Sequence, residues 1–198
     1  MAKFKLTKNE LKKQKDALKR FQRYLPTLLL KKQQLQIVIR QVEAKERETL
    51  RAKNEVENRI INWVEVFGED AALETLLLVK AVYTDTGNIA GVDIPVYKSI
   101  DFDVVSYNLF AAPLWIDRAI EELKLLLALD SEIKILKRQI ELLGNELRIT
   151  TQRVNLFEKV KIPEAKESIR KIRIYLGDQQ TAAVVRGKMA KDKVVKAS

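Results

Sequence analysis

The side chains that most often carry out catalysis are missing from this chain. It has 198 residues with no cysteine and no histidine, which removes thiolate nucleophiles, disulfides, Cys/His metal sites and imidazole acid–base chemistry. Its 6 glycines form neither a GxxxxGK nor a GxGxxG loop, so no backbone cradle for a nucleotide phosphate is predicted. The acidic pairs Asp101/Asp103 and Glu121/Glu122 lack convergent partners and read as solvated surface. No cofactor or metal is expected. The chemistry that remains belongs to cations. The first arm holds Lys8, Lys12, Lys13, Lys15, Lys19, Arg20, Arg23, Lys31 and Lys32, and the far end holds Arg170 and Arg173. Such side chains form a plain solvated helix surface, or they engage a phosphate backbone or an acidic protein surface. Tyr24, Leu28, Leu29 and Leu30 stand among the first set, and that apolar excess favours protein.

The charge is also segregated. Residues 1–60 carry 17 Lys/Arg against 7 Asp/Glu, residues 61–130 carry 4 against 12, and residues 131–198 carry 16 against 8. Two basic arms flank an acidic middle. If the arms pair antiparallel, the basic ends meet at one pole and the acidic middle forms the other.

The elements that would position these cations follow from periodicity. In the first arm Leu11, Leu18, Phe21, Leu25, Leu28, Leu35, Ile39, Val42, Val56, Ile60, Trp63 and Phe67 fill twelve of the 17 positions of a series that alternates steps of three and four, with Gln14, Lys32, Glu46, Thr49 and Lys53 at the others. That spacing keeps one stripe on a partner helix as the two supercoil. The stripe fails between Glu46 and Lys53, where looser packing or contact with another chain is expected. Thr7 followed by Glu10 predicts a capped start at Thr7. Pro26 predicts a bend near Arg23–Tyr24, or else a separate first helix.

The texture changes after Gly68. Leu76–Tyr83 and Gly91–Tyr97, separated by the turn-like Thr84-Asp85-Thr86-Gly87-Asn88, predict a β-hairpin with Pro95 at a sheet edge. Ser99–Asn108 reads as an acidic loop or short strand. Pro113 suits the first turn of a second arm, in which Ile133, Leu136, Ile140, Leu143, Leu147, Thr150, Val154 and Phe157 again step by three and four. Ile162-Pro163 interrupts the register, which resumes at Ala165, Ile169, Ile172 and Leu176. Beyond Gly177 the pattern weakens, and Met189–Ser198 reads as a frayed basic tail. The expected fold is all-α dominated, a long antiparallel two-helix coiled coil with a small central β-hairpin insert. The expected parts are arm 1–68, insert 69–112, and arm with tail 113–198. Pairing of each arm with a second copy is the alternative. The N-terminus lacks the apolar core of a signal peptide, and no uncharged apolar run reaches the ~18–20 residues of a membrane span.

Several stretches are more specific than periodicity. Leu6-Thr7-Lys8-Asn9-Glu10-Leu11, Tyr24-Leu25-Pro26-Thr27-Leu28 and Leu30-Lys31-Lys32-Gln33-Gln34-Leu35 resemble the N-terminal signature of the D subunits of V-type and A-type rotary ATPases. Thr151-Gln152-Arg153-Val154-Asn155 and Ile162-Pro163 are similar to that family's C-terminal segment, and Gly91-Val92 with Pro95, and Pro113 with Trp115, to its middle. The resemblance implies a non-catalytic rotor shaft, peripheral to the membrane on the cytoplasmic side. Its arms would enter the ring of catalytic and regulatory subunits, with Lys8, Lys12, Lys13, Arg20, Arg23, Arg170 and Arg173 as ring contacts. Its middle would bind the small F subunit of the central stalk and the membrane-side socket subunit through Val82, Tyr83, Ile94, Val96 and Tyr97. One departure stands out: Gly177, Gln179, Gln180 and Gly187 occupy a region where the family continues with charged residues. A basic coiled-coil protein associated with nucleic acid, or a scaffold, is the competing reading.

Overall fold

A computed structural model of the chain describes residues 5–61, 76–105 and 115–197. Within them the order is α1 (Lys8–Ile61), β1 (Leu77–Ile89), β2 (Val92–Val104), α2 (Ile116–Asn155), a π-helical turn (Leu156–Lys161) and α3 (Ile162–Ala197). This is a helix-dominated chain with one small antiparallel hairpin, as the periodicity predicts. Trp63, Phe67, Gly68 and Pro113 lie outside the described residues.

The start of α1 follows its sequence signal. The Glu10 amide donates to Thr7 Oγ1 at 3.3 Å, which satisfies one of the unpaired donors of the first turn. The box is only half built, because the Glu10 carboxylate accepts from Gln14 Nε2 instead. The helix runs unbroken through Pro26, so a separate first helix does not form.

Contacts divide the chain into two compact units, one of residues Met1–Lys32 and Ile149–Ser198, the other of Gln33–Arg148. In the first, the Phe21 and Phe157 rings stack with centroids 5.3 Å apart. Thr150, Val154, Ala165, Ile169 and Ile172 are buried. Lys15 and Lys19 share a groove with Lys166, Arg170 and Arg173, so α1 and α3 run antiparallel within one chain.

The expected frayed tail is instead helix, since α3 continues through Gly177 and Gly187 to Ala197. A Cβ on either glycine would meet nothing within 4 Å, so neither residue stands there for lack of space. Lys, Arg, Ala and Gln are good helix formers, and they outweigh two glycines at about 1 kcal/mol each.

In the second unit the helices are again antiparallel, with Arg59 opposite Glu122, Lys53 opposite Asp130 and Lys45 opposite Glu132. The hairpin lies along them. Its base, Leu77 and Phe102, packs on Ile116, Ile120, Leu123 and Leu127. Its tip, Ile89, Ala90, Val92 and Ile94, packs on Leu35 and Leu143. The lengths agree: 13-residue strands span about 40 Å at 3.3 Å per residue, as does α2 from Ile116 to Leu143 at 1.5 Å.

The turn of the hairpin is Ala90-Gly91, not the predicted Thr84–Asn88. Both turn residues have positive φ, 53° and 78°, the backbone that a two-residue hairpin of matching twist requires. Asn88 braces it, accepting from the Gly91 amide and donating to Asp93. Gly87 sits within β1 for a different reason: a Cβ there would lie 3.0 Å from Val96 Cγ2. The second strand also extends to Val104, so the described part of Ser99–Asn108, read as an acidic loop or short strand, is strand up to that residue. Register shifts leave Lys80 and Lys98 without cross-strand partners. Bulged lysines on exposed strands discourage a further strand from pairing there.

Candidate functional site

The polar stretch that broke the first stripe is a built contact. Thr49 is buried and its hydroxyl donates to the Lys45 carbonyl, one turn back. Lys45 reaches Glu132 at 2.8 Å, and Lys53 reaches Asp130 at 2.8 Å. Lys134 binds the other oxygen of Asp130, also at 2.8 Å. Where looser packing or contact with another chain is expected, Lys45 and Lys53 pair across the helices with Glu132 and Asp130.

These pairs set a pH signature. The hydrogen bond from Lys134, then that from Lys53, holds the Asp130 carboxyl below its ordinary 3.8. The bond to Asp130 holds Lys53 above 10.5. Asp130 therefore contributes stability that is present above about pH 4 and lost as pH falls through its lowered folded value. Lys53 contributes stability that is full below pH 10.5 and lost as pH rises through its raised value. Asp130→Asn should lower neutral-pH stability by about 0.5–1 kcal/mol and flatten the acid limb. Urea midpoints from pH 2 to 7 would show it, and parallel curves for both proteins would refute it.

The basic candidates are all exposed, but they do not form one site. Arg170 and Arg173 line an open groove of about 710 Å3 with Lys15, Lys19 and Lys166, floored by Leu18 and Ile169. Arg170 is also forked onto Glu167, with both contacts at 2.9 Å, and Lys171 reaches the same carboxylate. That pairing lowers the Glu167 carboxyl and raises the Arg170 guanidinium. Lys13 and Arg20 line a second depression, with Glu10 and Asp16. Lys8, Lys12 and Arg23 line neither groove. Sequence reasoning missed Lys166. Its signal was the i, i+4, i+7 spacing of Lys166, Arg170 and Arg173, which puts all three on one helical face.

On the hairpin, Val82 and Tyr83 are exposed, as are Leu78 and Val79, which were not singled out. Val96 is exposed too, and Tyr97 is half-buried. Both line a cavity of about 270 Å3 with Gln41, Lys45, Glu132 and Gln139. Burial, then the nearby Glu132 charge, pushes the Tyr97 phenol up. Ile94 is different. At 2% exposure it lies in the core with Leu35 and Leu143, where a partner would find no surface. The Gln139 carboxamide donates to the Pro95 carbonyl beside it, so a buried polar group is satisfied while it pins the strand.

Among the described residues no group of His, Cys, Asp and Glu could hold a metal ion, and no helix is long and apolar enough to cross a membrane.

Comparison with known proteins gives this surface a family. The family profile of the ATP synthase D subunit matches residues 10–192. The D subunit of the V-type ATP synthase of Borreliella burgdorferi is 53% identical over 196 residues, covering 99% of this chain and 97% of the relative. Those of Chlamydia pneumoniae and Chlamydia muridarum are each 34% identical over 193 residues, covering 96% of this chain and 92% and 95% of the relatives. A match of this identity along nearly the full length of both proteins places the chain in the family of V-type ATP synthase D subunits.

Proposed function

We propose that the chain is the central-stalk rotor shaft of a V-type ATPase or ATP synthase. It couples ATP hydrolysis or synthesis in a catalytic ring to movement of protons or sodium ions across a membrane. It is a non-catalytic component, cytoplasmic and peripheral to the membrane through its complex. The observation that carries this reading is the charge division of the two compact units. Residues Met1–Lys32 and Ile149–Ser198 hold 23 Lys/Arg against 7 Asp/Glu, and Gln33–Arg148 hold 14 against 20. An antiparallel helix pair of such high positive charge suits insertion into an acidic protein sleeve, because complementary potentials align partners over an extended surface.

The ring of catalytic and regulatory subunits meets Lys8, Lys12, Lys13, Arg20, Arg23, Arg170 and Arg173 in this reading. The small F subunit and the membrane-side socket subunit meet the hairpin at Val82, Tyr83, Val96 and Tyr97. Ile94 drops out of that set because it is buried. Torque contacts spread over many exposed cations degrade gradually.

Affinity purification of the tagged chain from its native cells tests the proposal. Nucleotide-binding ring subunits are the expected companions, and their absence would end the rotor reading. Retention of nucleic acid on filters, falling steeply with salt, would favour the competing one. Within the assembled complex, Arg23→Ala should leave most ATPase activity. Complete loss with assembly intact would refute distributed contact.

A further inference from the structure

The buried seam of the C-terminal arm changes phase at one place. Thr150 and Val154 are buried and Phe157 stacks on Phe21. Continuing steps of four and three from Phe157 would place Lys161, Glu164, Ser168 and Lys171 on the seam. The residues buried are instead Ala165, Ile169 and Ile172, each one position later. In a regular α-helix, at about 100° per residue, the stripe of Ala165, Ile169 and Ile172 would be turned about 60° from that of Thr150, Val154 and Phe157. The chain therefore carries one residue more than the seam allows.

The surplus is taken up between Leu156 and Lys161. There the six residues are π-helical, none of them is buried, and the Ile162 amide donates to the Phe157 carbonyl five residues back. A π turn is a one-residue insertion in an α-helix. With it in place, Ala165, Ile169 and Ile172 return to α1, while Lys166, Arg170 and Arg173 face outward together. Pro163 follows at once. It has no amide to donate, and its ring crowds the carbonyl of Lys159, so it adds a weak point at the same spot.

We infer that the Leu156–Lys161 turn is a compliant joint in the C-terminal arm. It stores one surplus residue, and its hydrogen bonds open locally while the seams on both sides hold their register. The reason is energetic. Apart from Phe157, which packs on Phe21, the side chains of the turn are exposed, and its hydrogen bonds open at low local cost. Slipping the whole of α3 by one residue would instead bury Glu164 and Lys171 in place of Ala165 and Ile172, and burying unpaired charges is costly. Compliance is thus confined to the turn.

Hydrogen exchange on the full chain separates the surplus residue from the proline as the cause. In Pro163→Ala the surplus persists, so the amides from Phe157 to Glu164 should exchange within about threefold of the parent rate. Deleting Val160 in the Pro163→Ala background removes the surplus, and the same amides should then slow by at least about tenfold. The melting temperature of this deletion should equal or exceed that of Pro163→Ala, whereas deletions inside regular helices lower it. Deleting Lys159 in that background should behave the same way. The inference is overturned if Pro163→Ala alone slows the exchange, if the deletions leave it fast, or if both deletions melt lower or fail to fold.

Discussion

Leu143→Ala should cost the protein about 2–5 kcal/mol, the range for truncating a fully buried leucine. Leu143 is 0% exposed and sits where three elements meet, with Leu35 of α1 and Ile94 of β2 packed against it. The first loss is the transfer free energy of its methyl and methylene groups. The second is the cavity, which closes only partly because two helices and a pinned strand cannot all move in. A shift in the urea midpoint would measure the total. Faster exchange of the Ile89–Ile94 amides would show that the hairpin tip is the first part to loosen. Leu30→Ala is the control, since Leu30 is 59% exposed and should change stability by no more than about 0.5 kcal/mol. A loss at Leu143 as small as that would mean the tip is not docked.

The helix seams were legible because a 3–4 alternation is a property of local sequence, and Leu35, Val56, Leu143 and Ile172 all proved buried. What depends on a neighbour was not. Glu46–Lys53 looked like a defect because the carboxylates of Asp130 and Glu132, which answer Lys53 and Lys45, stand on another helix. Thr84-Asp85-Thr86-Gly87-Asn88 has the composition of a turn. The chain reverses instead at Ala90-Gly91, where an alanine takes a backbone that favours glycine or asparagine, and Gly87 answers to Val96 across the ribbon. The interruption at Ile162-Pro163 was seen, but a break in phase does not say whether a helix stops or inserts a residue. The cations were visible as residue types. Their grouping into a groove of Lys15, Lys19, Lys166, Arg170 and Arg173 needed the antiparallel register.

Ile94 gives the sharpest contrast between a strand residue offered to a partner and one the chain keeps for itself. An exposed contact residue changed to aspartate would weaken a complex and leave the free protein's stability alone. Ile94 is 2% exposed, so Ile94→Asp should cost at least the about 2–5 kcal/mol of truncating it to alanine, with desolvation of the carboxylate added. The helices keep their other contacts, so the hairpin should come away from Leu35 and Leu143 while the helical circular dichroism is largely retained. The defect should also depend on pH. Burial raises a carboxyl's pKa in the folded state, so folding of the variant takes up a proton and its deficit should shrink as pH falls toward about 4. Ile94→Asn, with no charge to neutralise, should lack that recovery. Val82→Asp, on the exposed part of β1, should cost little at any pH. A stable Ile94→Asp protein with weakened partner binding would return this residue to the surface, and the docked hairpin would have to be abandoned with it.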